Sequence, residues 1–233
     1  MTLFLAGGGS PTQERLVWAE AFEGVTRVLY WPFALPHEHV RSAGVWFRHA
    51  LKDLSIEAEV DSWESLDGHD RSALGPYDLL FVGGGSTSTL AEQVLRHDFV
   101  SAVFDFVAAG GRYCGGSAGA LLACETLTIA SLVDGDTRAT GMRGLGLIEN
   151  LSVFPHADTF PKNRPLEVAR ALGHDILALP EASGVAVEGG VLRPIGPDPV
   201  RLITNAGHDV REMRAGERAE ARVRRPVSPD AGT

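Results

Sequence analysis

Arg112-Tyr113-Cys114-Gly115-Gly116-Ser117-Ala118-Gly119-Ala120 runs from a short apolar strand through glycines into a small-residue helix, predicted over 121–124. The spacing Gly115-x-Ser117-x-Gly119 has the form of a nucleophile elbow, in which small flanking residues let the chain turn sharply and leave a serine oxygen exposed. Backbone N–H groups at the helix start would then face the substrate of Ser117, with Ala118 N–H the first donor to a developing oxyanion. The competing reading is a glycine-rich strand-to-helix turn that cradles a phosphate or carboxylate without catalysis.

Outward from that turn, short apolar runs alternate with helix-length amphipathic stretches, the pattern of a parallel sheet covered by helices on both faces. Strands are expected at 3–6, 27–31, 57–63 and 78–82; the first ends at Gly7-Gly8-Gly9 and the last at Gly83-Gly84-Gly85. Helices are expected at 13–22, 37–54, 89–95, 99–109 and 165–172. In the second of these, Val40, Ala43, Phe47, Ala50, Leu51 and Leu54 recur at helical spacing. Beyond the elbow, strands are expected at 126–130, 152–154, 176–179, 184–187 and 200–205. Residues 1–214 are read as one α/β domain, and the Arg/Glu/Ala-rich stretch at 215–233, which ends in Pro226-Val227-Ser228-Pro229, as a flexible tail.

Composition narrows the function. The chain has 233 residues, 44% of them apolar and 22% charged, with mean hydropathy +0.01, which is globular and not disordered or fibrous. No apolar run reaches the length of a membrane span and the first residues carry no basic segment, so a cytoplasmic protein without membrane attachment is expected. A net charge of −9 without a basic face argues against nucleic-acid binding. Cys114 and Cys124 form neither a disulfide framework nor a metal-spacing pattern. Lys52 and Lys162, the only lysines, lie outside any phosphate-binding loop. His37-Glu38-His39 is weighed as a metal pair and set aside because it follows a proline at a helix start, so no metal and no cofactor are expected.

A serine nucleophile needs a base. Of eight histidines, His156 stands out because Phe154-Pro155-His156 ends an apolar run, which places its ring at the carboxyl edge of a strand, where open sheets bind ligands. An acceptor must then fix the imidazole tautomer. Glu181, after Leu179-Pro180, and Asp158, two residues past His156, both qualify; Asp134 and Asp136 sit in a glycine-containing loop and are weaker candidates. The order Ser…His…Glu disfavours a standard α/β-hydrolase, which runs Ser…Asp/Glu…His.

Four segments taken together resemble peptidase E, the aspartyl dipeptidase group of family S51 serine peptidases. They are Val82-Gly83-Gly84-Gly85-Ser86-Thr87, Gly116-Ser117-Ala118-Gly119-Ala120, Pro155-His156 and Leu179-Pro180-Glu181, and the likeness continues into Thr204-Asn205-Ala206-Gly207. The resemblance implies a three-layer sandwich with a mostly parallel central sheet, like class I glutamine amidotransferases and flavodoxin-like in outline. It implies Ser117 as nucleophile, His156 as base and Glu181 as its orienting partner, with Asp158 the alternative, and an oxyanion hole of Gly85 and Ala118 N–H groups. Ser86 and Thr87 would contact substrate, and Arg164 would receive the side chain of an N-terminal aspartate. Ser86-Thr87 stands where the family has Asn-Thr, and Gly116 where an aromatic is usual, so specificity is the property most open to change. His156-Ala157-Asp158 is similar to the His-x-Glu of the amidotransferases, but a serine in place of their cysteine argues against glutamine hydrolysis.

The expected partner is therefore a small peptide such as Asp-X. The alternatives are the same triad acting on β-aspartyl peptides of the cyanophycin-breakdown type or on another acyl compound, and a non-catalytic anion-binding module. Monomer and homodimer are both left open.

Overall fold

The computed structural model describes residues 1–224. Its strands are β1 (Thr2–Ala6), β2 (Arg27–Trp31), β3 (Glu59–Ser62), β4 (Leu79–Val82), β5 (Arg112–Gly116), β6 (Ile148–Glu149), β7 (Leu151–Phe154), β8 (Asp175–Ala178), β9 (Gly184–Glu188), β10 (Val191–Ile195), β11 (Val200–Thr204), β12 (Asp209–Met213), β13 (Ala219–Glu220) and β14 (Arg222–Val223). The α-helices are α1 (Arg15–Ala21), α2 (His37–Asp53), α3 (Thr87–Arg96), α4 (Phe99–Ala108), α5 (Ala118–Leu122), α6 (Ile129–Val133) and α7 (Arg164–Leu172).

The main sheet has the order β13-β10-β9-β1-β5-β4-β2-β3. The five strands from β1 to β3 are parallel, and β9, β10 and β13 extend the β1 edge antiparallel. Strand alternation divides the core between two faces. Phe4 and Ala6 of β1 and Phe81 of β4 join Val17, Trp18, Phe47 and Leu51 of α1 and α2. Leu3, Leu5, Leu80 and Val82 join Leu90, Phe99, Val103 and Leu121 of α3, α4 and α5 on the other face. This is the helix–sheet–helix sandwich expected from the sequence. A second sheet, β12-β11-β8-β7, stands beside the first. Its parallel pair β7 and β8 delivers the loops that follow Phe154 and Ala178.

Glycines make the elbow possible. A Cβ on Gly119 would lie 2.2 Å from the Val82 carbonyl oxygen, and one on Gly115 would lie 2.4 Å from the Gly119 backbone. Helix α5 therefore sits directly on β4 and β5, and Tyr113 O–H, fully buried, donates to the Gly119 carbonyl across the turn at 2.6 Å.

Three sequence expectations are corrected. Residues 126–130, expected as a strand, enter helix α6; a short apolar run has no period that separates strand from helix, and here Ile129 and Ala130 pack inward from a helical turn. The helix after the elbow begins at Ala118, not Leu121. The tail expected from residue 215 is ordered as far as residue 224: β13 pairs with β10 and β14 with β6. Ala219, Ala221 and Val223 alternate against the core, and the open edge of β10 supplies unpaired backbone groups. Residues 225–233, the rest of that expected tail, lie outside the described residues.

Gly119→Ala drives a methyl into backbone that has no flexible end to yield. It is expected to lower the unfolding free energy by about 2–4 kcal/mol, measured by urea titration.

Candidate active site

The carboxyl ends of β1, β4 and β5 meet at one edge of the main sheet, where open α/β sheets bind ligands. Ser117 follows β5 with φ 51° and ψ −113°, a conformation unusual for a residue with a side chain. Its N–H donates to the Ala6 carbonyl at the end of β1 at 3.3 Å. His156 follows β7, also at positive φ (52°). Its N–H donates to the Gly7 carbonyl at 2.9 Å, and its own carbonyl accepts from Thr159 N–H and Oγ1. Both strained residues are thus tied to successive carbonyls of one strand end.

The three side chains meet. Ser117 Oγ lies 2.9 Å from His156 Nε2, and His156 Nδ1 lies 3.0 Å from Glu181 Oε1. The imidazole and the Glu181 carboxylate are each about a quarter exposed (25% and 28%), which leaves the serine reachable. Asp158, the other candidate acceptor, is turned elsewhere: its Oδ1 accepts the Glu181 N–H at 2.8 Å, so it fixes the loop that carries the acid facing His156.

Gly85 follows β4 with φ +134°, and a Cβ there would lie 2.1 Å from the Ala34 carbonyl oxygen, so only glycine fits. Ser86 caps α3, accepting the Thr89 N–H at 3.3 Å. Thr87 is buried, and its Oγ1 has no hydrogen-bond partner among the described residues. A cavity of about 730 Å³ opens beside Gly85 and Ser86, lined also by Phe33, Leu35, Arg41 and Thr89. Arg164, at the start of α7, donates from Nη2 to the Leu132 carbonyl at 2.9 Å and pairs with Glu167 at 3.5 Å. His37 and His39 lie exposed in the first turn of α2. No group of His, Cys, Asp or Glu among the described residues has a metal-holding arrangement.

Several contacts around this site escaped the sequence reading. Asp136 accepts the Ser88 N–H at 2.9 Å and the Ser86 hydroxyl at 3.2 Å, and Arg138 Nη2 donates to Thr89 Oγ1 at 3.0 Å and Ser86 Oγ at 3.4 Å. The glycine-containing loop of Asp134 and Asp136 therefore clasps the segment after Gly85. Burial raises the carboxyl of neighbouring Asp134 while the His156 charge pulls it down. Glu14, just before α1, is 3% exposed. Its Oε1 accepts the N–H groups of Gly8 (2.7 Å) and Gly9 (3.0 Å), and its Oε2 accepts Trp18 Nε1–H (3.0 Å). The available signal was a carboxylate five residues past a glycine run, three and four residues before the apolar Val17 and Trp18.

The sequence model of peptidase family S51 matches residues 3–195. The chain belongs to peptidase family S51. This S51 chain is 28% identical over 160 residues to peptidase E of Citrobacter koseri, covering 63% of the chain and 67% of that relative. It is 28% identical over 159 residues to peptidase E of Salmonella arizonae, with the same coverage. Its fold is similar to the crystal structure of a peptidase from an acI-B1 actinobacterium, with a TM-score of 0.72, 20% identity, and 94% of this chain and 96% of the other covered. It is also similar to a Listeria monocytogenes EGD-e protein assigned to peptidase E, with a TM-score of 0.68, 21% identity, and coverage of 84% and 98%. Membership makes the chain a peptidase. No helix among the described residues is long and apolar enough to cross a membrane.

Burial pushes the Glu14 carboxyl from 4.5 up to about 7 and nearby Glu181 adds to the rise, against the lowering effect of its Trp18, Gly8 and Gly9 hydrogen bonds. A folded value above the unfolded one gives stability that is complete below about 4.5 and lost as pH rises through about 7. That shift corresponds to about 3 kcal/mol. Stability to urea measured from pH 5 to pH 8 is expected to fall with this slope in the S51 chain, and to be flatter in Glu14→Gln; equal slopes would assign the titration to another group.

Proposed function

We propose that this chain is a serine-type dipeptidase that hydrolyses small peptides with N-terminal aspartate through Ser117, His156 and Glu181. The observation that carries the reading is the unbroken run of contacts from Ser117 Oγ to His156 Nε2 and from His156 Nδ1 to Glu181 Oε1, at 2.9 and 3.0 Å.

With Nδ1–H donating to Glu181, Nε2 is left as the acceptor for the Ser117 proton. As Oγ attacks the peptide carbonyl carbon, that proton passes to Nε2 and the carbonyl π electrons move to oxygen. Gly85 and Ala118 N–H groups would hold the resulting oxyanion; both come from turns fixed by close packing, so they need no reorganisation as charge develops. Collapse of the tetrahedral species breaks the C–N bond, and the imidazolium gives its proton to the leaving amine. Water, deprotonated by His156, then attacks the acyl-enzyme ester and returns Ser117 to its hydroxyl form. Carboxylate at Glu181 stabilises the imidazolium in both halves.

Substrate recognition is assigned to Arg164, Ser86 and Thr87. Arg164 offers a guanidinium suited to a carboxylate, held in place by the Leu132 carbonyl. Ser86 supplies a hydroxyl directly after Gly85, and Thr87 Oγ1, buried without a hydrogen-bond partner among the described residues, has a hydrogen bond to give. The overall charge of −9 repels an acidic peptide at long range, so affinity must come from these local groups.

Hydrolysis of Asp-Leu, Glu-Leu, Ala-Leu and β-Asp-Leu tests the proposal. Selective cleavage of Asp-Leu is expected, falling by about 10⁴-fold or more in Ser117→Ala and by about 10²- to 10⁴-fold in Glu181→Gln. Activity retained in Ser117→Ala would overturn the mechanism, and preference for β-Asp-Leu would move the substrate class. Arg164→Ala is expected to raise KM for Asp-Leu at least about tenfold; an unchanged KM would remove Arg164 from the pocket.

A further inference from the structure

Glu14 is a buried acid that the reaction does not consume, and among the described residues it has no ion-pair partner within 4 Å. Among the described residues, three N–H donors compensate its burial. One of them, Trp18, is held by ring contacts to Phe81 (4.9 Å) and Phe47 (5.4 Å), so the carboxylate is anchored from the aromatic core. The other two, Gly8 and Gly9, lie in the glycine strap that extends β1.

That strap touches every part of the candidate triad. A Cβ on Gly8 would stand 2.5 Å from His156 Cε1 and 2.7 Å from Ser117 Cβ, so the bare Gly8 backbone lies against both. A Cβ on Gly9 would stand 2.5 Å from the Glu181 carbonyl oxygen. Gly7 accepts the His156 N–H. The turn before α1 reaches the acid again through Gln13 Nε2, 3.4 Å from Glu181 Oε2.

We propose that Glu14 is a positioning residue for catalysis: by accepting the Gly8 and Gly9 N–H groups it fixes the strap against which His156 and Ser117 are seated in reacting geometry. The inference rests on the roles proposed above for Ser117, His156 and Glu181. Ionised Glu14 accepts all three N–H groups; once protonated, an O–H at Oε1 faces the Gly8 and Gly9 donors and one at Oε2 faces Trp18 Nε1–H, so either a strap contact or the Trp18 anchor of the carboxyl is released. The groups facing it are the Glu181 carboxylate from the loop after β8, the Cys114 thiol of β5, Trp18 Nε1–H of α1 and the two glycine amides. Burial places the Glu14 titration near 7, so the strap tightens as pH rises through that value.

The test uses the full chain with Asp-Leu hydrolysis and with a fluorophosphonate that reacts at Ser117. Glu14→Gln is expected to lower both kcat and the phosphonate rate by about 10- to 100-fold, with KM changed less than about threefold, and to remove from the kcat–pH profile a step near pH 7. Phe22→Leu, at a ring 5.8 Å from that of Trp18 in the same aromatic cluster and outside the hydrogen bonds of Glu14, is expected to keep kcat. An unchanged kcat in Glu14→Gln, a rise in KM alone, or an equal loss in Phe22→Leu would overturn the proposal. A second readout needs no change at Glu14: in His156→Gln, which removes the imidazole titration, the Gly8 and Gly9 amide ¹⁵N shifts are expected to move with a midpoint near 7, and static shifts between pH 5.5 and 8.5 would overturn it. If the wild-type chain neither cleaves the panel nor takes the phosphonate, the triad reading fails, while the amide titration still reports whether Glu14 holds the strap.

Discussion

The end of β1 is the constraint on which the site depends. Ala6 and Gly7 are successive residues, and their carbonyls accept the N–H groups of Ser117 and His156. Those two residues follow strands of different sheets, β5 of the main sheet and β7 of the second one. Gly7 N–H in turn donates to the Ser183 carbonyl at 3.0 Å, which draws in the loop that carries Glu181. One strand end thus fixes three chain segments far apart in sequence, and hydrogen bonds of this kind set backbone position to within a few tenths of an ångström. A serine, an imidazole and a carboxylate can then meet at hydrogen-bonding distance without long flexible side chains.

Strain collects at the same place. Ser117 and His156 both have φ near +50° and Gly85 has φ +134°. For Ser117 and His156, which carry side chains, such a conformation typically costs on the order of 1–3 kcal/mol each and persists because the surroundings over-determine it; glycine at 85 adopts its φ without that cost. The surroundings here are identifiable: Gly119 packed on Val82, Tyr113 bonded across the elbow, and Ala34 closing on Gly85 from the segment after β2. The buried Glu14 carboxylate adds a further cost in the same few ångströms. Stability is given up where geometry is needed and recovered in the two apolar cores on either side of the sheet, a distribution common at functional sites.

Charge is arranged locally against the global field. The chain is acidic overall, yet two arginines secure the segment from Leu132 to Arg138: Arg164 donates to the Leu132 carbonyl, and Arg138 itself bridges to Ser86 and Thr89. Asp136 closes the clasp from the same loop. Burial works against its charge, but the Ser88 N–H and the Ser86 and Ser88 hydroxyls outweigh that and keep its carboxyl below the usual range. The segment after Gly85 is therefore held by ionic and hydroxyl contacts on its outer side and by the Ala34 carbonyl on its inner side, through Ser86 N–H at 2.8 Å.

The sequence by itself determined the local chemistry. Period-two and period-3.6 patterning located most strands and helices of the sandwich, and the glycines around Ser117, the glycine at 85 and the residues ending Phe154-Pro155-His156 and Leu179-Pro180-Glu181 marked turns that only small or specially placed residues can make. These features are legible because each depends on neighbours a few positions away. Only the tertiary structure decided which carboxylate faces His156: Glu181 and Asp158 are equivalent as sequence, and the choice is made by Asp158 accepting the Glu181 N–H. Tertiary structure likewise decided that residues 219–223 pair with sheet edges and that 129–133 is helical, because edge availability and burial are supplied by distant segments. Glu14 was silent for the same reason: its meaning lies in Gly8, Gly9 and Trp18 converging on one buried carboxylate, and a linear chain does not show that convergence until the strap has folded over it.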